Sequence, residues 1–107
     1  MADLYTNFTA NSSKPSEWEI FPQDIPTSST AIFTRDVHIT EITVTNTTGA
    51  QLTFTVSDRQ ANPKELFAST PIDANSTYGL AFKGRWMPGG VQIVASGPGL
   101  VYTLRGY

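Results

Sequence analysis

The strongest constraint on the fold is the segment QLTFTVSD at 51–58, in which apolar and polar side chains alternate. Leu52, Phe54 and Val56 share one parity, and threonine or serine occupies the positions between and after them. Side chains of a β-strand point alternately to opposite faces, so the pattern predicts a strand with one face in a core and the other in solvent. The chain is therefore expected to bury its apolar residues by forming sheets.

Similar segments recur along the chain and are separated by turn sequences rich in Gly, Pro, Asn and Ser. They are AIFT, RDVHITEITVTN, ELFAST, YGLAF, VQIVAS and LVYTLRGY. A change of parity at Thr40-Glu41, between Ile39 and Ile42, indicates a β-bulge or a bend from one sheet to the next. No stretch of ten residues has helical periodicity. We predict an all-β fold, an antiparallel β-sandwich or jelly roll of about seven to eight short strands.

Residues 1–28 have a different character from the rest of the chain. Pro15, Pro22 and Pro26 prevent helix formation and are unfavourable in a central strand. The segment is nevertheless more apolar than a disordered linker. Its large apolar side chains are Tyr5, Phe8, Trp18, Ile20, Phe21 and Ile25. We expect residues 1–28 to form an extended arm lying over the sandwich or over a neighbouring subunit, and residues 29–107 to form the β-sandwich domain.

Composition excludes several classes of partner. Charged residues make up 15% of the chain and the net charge is -2, so no basic surface is available to neutralise phosphates, and we expect no nucleic-acid partner. The chain contains no cysteine, which excludes disulfides and thiolate metal sites. No apolar run reaches membrane-spanning length, and the N-terminal sequence lacks the features of a signal peptide. We therefore expect no membrane partner and folding in the cytoplasm.

The sequence contains no recognisable catalytic constellation. His38 is the single histidine and lies in an alternating strand, where a surface or interface position is commoner than a ligand position. No second histidine can complete a zinc site, and no Gly-x-Ser-x-Gly motif is present. Glu17 and Glu19 flank Trp18 in the proline-rich segment, which favours a solvated face over a glycosidase pair. We predict no enzymatic activity, no cofactor and no metal.

The segment GRWMPGG at 84–90 predicts a sharp corner between two strands. Proline fixes one backbone angle, and the glycines that follow allow positive φ, as a reversal requires. Trp86 and Met87 have opposite parity, so one of them should enter the core. We expect Trp86 to be substantially buried and Arg85, on the same side as Met87, to lie at an interface.

Three stretches together resemble a layout found in small virion proteins of tailed bacteriophages. They are ITEITVTNTTGAQLTFTVSD, IDANSTYGLAF and GGVQIVASGPGLVYTLRGY, and the resemblance covers about residues 37–107. It implies a non-enzymatic capsid decoration or cement protein, located in the virion and assembled in the host cytoplasm. The implied partners are the major capsid protein or another virion protein, and further copies of the chain in a homo-oligomer, with a trimer favoured.

The residues expected at the partner interface are the large side chains of the arm and of the glycine-rich corner, together with the C-terminal tyrosine. They are Tyr5, Phe8, Trp18, Ile20, Phe21, Arg85, Trp86 and Tyr107. The alternative is a neck, tail or fibre component whose β-sandwich binds a carbohydrate or receptor. That alternative requires an exposed aromatic cluster that includes Trp18 or Trp86.

Overall fold

The structure is a computed structural model that describes residues 17–107 and, for residues 8–10, the backbone. The described residues contain nine strands and no helix. The strands are β1 Phe8–Ala10, β2 Trp18–Asp24, β3 Thr30–Phe33, β4 Val37–Asn46, β5 Leu52–Asp58, β6 Glu65–Ile72, β7 Thr77–Met87, β8 Val91–Ala95 and β9 Leu100–Gly106. The predicted all-β class is confirmed.

Two antiparallel sheets pack face to face. The first sheet has the order β1-β2-β9-β4-β7, and the second has the order β3-β8-β5-β6. Strand β2 pairs with β9, β3 with β8, β4 with β7, and β5 with β6, so the chain follows the path of one long hairpin folded over into two layers. This eight-strand connectivity is that of a jelly roll, and the short β1 adds a further strand beside β2.

The bulge predicted in the longest alternating segment is confirmed in β4. Its register with both β7 and β9 shifts between Ile39 and Glu41. Val37 and Ile39 are buried before the shift, and Ile42 and Val44 are buried after it. Because the extra residue reverses the parity, both halves of β4 direct their apolar side chains into one core.

Aromatic side chains close both open sides of the sandwich. On one side, Trp18 of β2 packs against Phe33 of β3, with ring centroids 4.4 Å apart. On the other side, Phe67 of β6 contacts Tyr78 and Phe82 of β7 at centroid distances of 5.7 and 6.3 Å. Both sets of contacts join the first sheet to the second, so the core extends across the full width of the fold.

The predicted arm is wrong for residues 18–24, which form β2, an internal strand of the first sheet. Pro22 lies where the register with β9 shifts between Ile20 and Gln23. A bulge at this point allows a residue without an N–H group to lie within an internal strand. Residues 1–7 and 11–16 of the expected arm lie outside the described residues.

Gly106 is the closest point of approach between three strands. It is opposite Trp18 of β2 and Ile39 of β4, and a Cβ atom at this position would overlap the carbonyl of His38 and the indole of Trp18. We predict that Gly106→Ala lowers the free energy of unfolding by about 1 to 3 kcal/mol, the usual cost of overpacking. Urea denaturation followed by circular dichroism measures the change.

Gly49→Ala is the matched control, because a Cβ atom at that position meets nothing within 4 Å. Its unfolding midpoint should equal that of the wild type. Equal losses of stability in the two variants would contradict the close approach at Gly106.

Burial of Tyr102 in the core predicts a specific pH dependence. Desolvation raises the pKa of its phenol from 10.0 to about 12. Between these values the unfolded chain releases the proton and the folded chain keeps it, so the free energy of unfolding should fall as the pH rises, by on the order of 1 kcal/mol per pH unit. Urea unfolding at pH 9, 10 and 11 tests this, and Tyr102→Phe should show a shallower loss. Identical slopes in both proteins would contradict the prediction.

Candidate functional site

The outward face of the first sheet contains an uncharged region that we call the threonine patch, defined by Thr43, Thr45, Thr77 and Thr103. Thr45 is opposite Thr77 in the register of β4 and β7, and Thr43 is opposite Thr103 in that of β4 and β9. The hydroxyl oxygens of Thr45 and Thr77 are 3.0 Å apart, and the hydroxyls of Thr43 and Thr103 are also in contact. These side chains satisfy each other's hydrogen bonds across the strands.

A row of charged side chains borders the threonine patch. Arg105 of β9 lies between Glu19 of β2 and Glu41 of β4. Its guanidinium is 3.3 Å from an oxygen of Glu19 and 3.7 Å from an oxygen of Glu41. All three side chains are about half exposed, so the pairs contribute little to stability. Their arrangement nevertheless places one positive charge between two negative charges at the border of the threonine patch.

Beyond the charged row lies a row of aromatic side chains formed by Tyr107, His38 and Trp86. The backbones of Tyr107 and His38 exchange two hydrogen bonds, of 2.7 and 2.9 Å. Their rings stack with centroids 4.8 Å apart and an interplanar angle of 8°. Trp86 lies opposite His38 on the other neighbouring strand. Three consecutive strands therefore present aromatic rings at the same end of one face.

The GRWMPGG segment forms the predicted corner, but its tryptophan was assigned to the wrong side. Gly89 and Gly90 have φ values of 77° and 120°. Met87, opposite the buried Val37, is 2% exposed, whereas Trp86 is 55% exposed. Parity separates the two side chains without deciding which one is buried, and the register with β4 decides in favour of Met87. Arg85 is exposed, and its position at an interface stays a prediction.

An open pocket of about 340 Å³ lies beside this corner, at the end of the sandwich. We call it the rim pocket; its lining residues are Asp58, Gln60, Asn62, Lys64, Arg85, Trp86 and Pro88. One wall comes from the end of β7, and the facing wall comes from the loop at 59–64 between β5 and β6. The jelly-roll connectivity brings these two segments together.

Hydrogen bonds to the backbone hold the walls of the rim pocket in place. One carboxylate oxygen of Asp58 accepts from the N–H groups of Gln60 and Lys64, at 3.3 and 3.1 Å. The N–H of Arg59 donates to the carbonyl of Pro88 at 3.3 Å. A Cβ atom at Gly89 would lie 2.8 Å from the carbonyl oxygen of Arg59, so the close packing of loop and corner requires glycine there. The shape of the pocket is fixed by the backbone.

A second carboxylate stabilises the corner at 88–90 through a hydrogen bond from the loop between β3 and β4. Asp36, in the loop between β3 and β4, accepts a hydrogen bond from the N–H of Gly89 at 2.7 Å. Asp36 and Asp58 therefore both direct an oxygen to backbone N–H groups at this end of the sandwich. Both carboxylates therefore have a structural role, which is to hold the backbone of the loop and of the corner.

The predicted interface residues separate into buried and exposed groups. Trp18 and Ile20 are 3% and 0% exposed, so their assignment to a partner interface is corrected: they fill the core of the chain's own sandwich. Phe21, Arg85, Trp86 and Tyr107 are exposed, and all four are close to or within strands of the first sheet. For Phe8 the structure defines the backbone, in β1, and Tyr5 lies outside the described residues.

Sequence reasoning missed the facing wall of the rim pocket. Gln60, Asn62 and Lys64 occur in the polar segment RQANPK, which has the composition of an ordinary turn. Their partners Arg85 and Trp86 are more than twenty residues away in the sequence. The connectivity of the sheets brings the two segments together, and a single sequence carries no direct signal of that proximity.

Comparison with known proteins gives no assignment: no family model matches the sequence, and no curated protein or solved structure is significantly similar to it. Within the described residues, no group of three or more histidine, aspartate or glutamate side chains is arranged to hold a metal ion. The same residues contain no helix that is long and apolar enough to cross a membrane. The protein is defined by its class, an antiparallel jelly-roll sandwich with an aromatic row and an adjoining pocket.

Proposed function

We propose that the protein is a non-enzymatic structural component of a bacteriophage virion, of the capsid decoration or cement kind. In this role it binds the major capsid protein or another virion protein and associates with further copies of itself, with a trimer favoured. Jelly rolls occur among viral capsid proteins and also among lectins, so the fold agrees with this function without determining it.

The observation that carries the proposal is the unequal distribution of exposed apolar side chains. Four large hydrophobic residues are between 41% and 55% exposed. They are Phe21 of β2, Leu80 and Trp86 of β7, and Tyr107 directly after β9. All four belong to the first sheet or directly follow it, and the described strands of the second sheet contribute none. Trp86 and Tyr107 lie with His38 on the outward face, whereas Leu80 is opposite the buried Ile42 and is exposed at the core-side edge of β7. Exposed apolar surface concentrated on one sheet is characteristic of an interaction site.

The threonine patch suits burial in such an interface. Burying a hydroxyl group is costly when it loses its hydrogen bond, and here the hydroxyls are already paired across the strands. The charged row of Glu19, Arg105 and Glu41 can orient the partner, since charge patterns contribute more to specificity than to affinity. Removing the rings of Phe21 and Tyr107 and the threonine methyl groups from water would link subunits and stabilise the shell, and this contact leaves the pocket side of Trp86 uncovered.

A charge introduced into the threonine patch tests the contact surface. We predict that Thr43→Lys weakens self-association at least about tenfold, because a buried, unpaired ammonium group is strongly unfavourable. Analytical ultracentrifugation over a range of concentrations measures the mass and the dissociation constant. Circular dichroism and thermal unfolding verify that the variant is folded.

Thr53→Lys is the matched control, because Thr53 lies on β5 of the second sheet, opposite Pro71 of β6. Its association should equal that of the wild type. A wild-type protein that remains monomeric at high concentration, or equal effects of the two lysines, would count against the first sheet as the contact face.

The location of the protein tests the virion assignment itself. Particles produced from the genome that encodes the chain should contain it in a fixed ratio to the major capsid protein, as measured by quantitative mass spectrometry. Shells assembled without the chain should take up the purified wild type and take up Thr43→Lys less well. Absence of the chain from purified particles would overturn the proposal.

A further inference from the structure

Trp86 differs from the other exposed apolar side chains because it forms a wall of the rim pocket. More than half of its surface is accessible, which is unusual for a tryptophan. Pro88 adds further apolar surface, and the other lining residues are polar: Gln60 and Asn62 carry amide groups, Asp58 carries a carboxylate, and Lys64 and Arg85 carry positive charges. One aromatic face with a few convergent polar groups is the usual composition of a small-molecule site.

The charge at the rim pocket is opposite in sign to that of the whole protein. The chain has a net charge of -2, yet two cations and one carboxylate line the pocket. The carboxylate of Asp58 accepts hydrogen bonds from backbone N–H groups, whereas Lys64 and Arg85 form no salt bridge with any residue in 17–107. The cations are exposed and available to a ligand. The pocket therefore favours an anion.

We infer that the rim pocket binds an acidic saccharide, a pyranose ring that carries a carboxylate, as in sialic or uronic acids. The apolar C–H face of such a ring would stack on the indole of Trp86. Its carboxylate would lie between Lys64 and Arg85, where the guanidinium can donate two parallel hydrogen bonds. The amides of Gln60 and Asn62 both donate and accept hydrogen bonds, as neighbouring hydroxyl groups require.

The rigidity of the walls supports a ligand site. The loop at 59–64 is tied to Asp58 and to Pro88 through backbone hydrogen bonds, and Asp36 holds the corner at Gly89. A ligand would therefore not have to order the loop on binding, which removes one of the main entropic costs. The volume of about 340 Å³ lies at the lower end of the range for ligand pockets, in keeping with a single sugar unit and its substituents.

A nucleotide is the main competing ligand, since a base can also stack on an indole. The geometry favours the saccharide for two reasons. The pocket offers one aromatic face, and its two amide side chains can both donate to and accept from the many hydroxyl groups of a saccharide. In addition, the described residues contain no helix whose N-terminus could receive a phosphate group.

Nuclear magnetic resonance on the purified full chain tests the inference. The protein has two tryptophans, the buried Trp18 and the exposed Trp86, so two indole N–H signals report separately on the core and the pocket. The probes are 3′-sialyllactose, its neutral counterpart lactose, a glucuronic-acid-containing tetrasaccharide, and adenosine monophosphate. Titration with at least one acidic saccharide should shift the Trp86 signal saturably and leave the Trp18 signal in place.

Lactose should bind at least about fivefold more weakly than the acidic saccharide that binds better, because it lacks a carboxylate. Trp86→Ala should weaken binding at least about tenfold, and the double variant Lys64→Ala/Arg85→Ala should abolish the preference for the acidic sugar. Phe21→Ala is the matched control, since Phe21 is an exposed aromatic residue of the first sheet that does not line the pocket. It should bind like the wild type.

Three results would overturn the inference: no Trp86 shift with either acidic saccharide, binding of lactose as tight as that of the acidic saccharide that binds better, or tighter binding of adenosine monophosphate. The site goes beyond the proposed virion role and does not depend on it. Titrating Thr43→Lys beside the wild type keeps the two apart, because the substitution should reduce assembly and leave the Trp86 shift unchanged. The same protein samples thus report independently on the contact face and on the pocket.

Discussion

The pairing of β9 with β4 is the interaction on which the rest of the molecule depends. It places Thr103 beside Thr43, Arg105 beside Glu41 and Tyr107 beside His38, so all three rows on the outward face of the first sheet run through it. On its other edge β9 pairs with β2, which brings Trp18 to Gly106. These contacts join residues that are far apart in the sequence. A fold built on such distant pairs orders its functional face only when the whole sheet has formed.

The sequence was sufficient for the features that arise from alternation and turn chemistry. The burial of Phe54 and Val56 in β5 follows from a period of two, and the bulge in β4 follows from its parity change. Both features are local, because each depends on which face of its own strand a side chain occupies. The corner at Pro88 to Gly90 is likewise determined by backbone preferences within the segment.

The wrong predictions concern the burial of side chains whose position depends on how one strand pairs with another. Trp18 and Ile20 have the alternation of a buried strand, but the nearby prolines in the sequence favoured an arm over a strand. The structure accommodates Pro22 at a bulge, which allows β2 to form. Trp86 was expected to be buried because parity places either Trp86 or Met87 in the core, and the register with β4 gives that position to Met87. The pocket beside it involves a loop from another part of the chain. Each error reflects tertiary register, which local preference does not encode.

Asp58 has a consequence for how this surface can change over evolutionary time. Its carboxylate holds the loop at 59–64 by accepting hydrogen bonds from the backbone N–H groups of Gln60 and Lys64, and any residue other than proline at these two positions supplies such a group. The shape of the loop is thereby separated from the identity of most of its side chains. Gln60 and Asn62 can be exchanged while the loop keeps its path. Single substitutions in this loop can therefore change the chemistry of the rim pocket while the jelly roll stays intact.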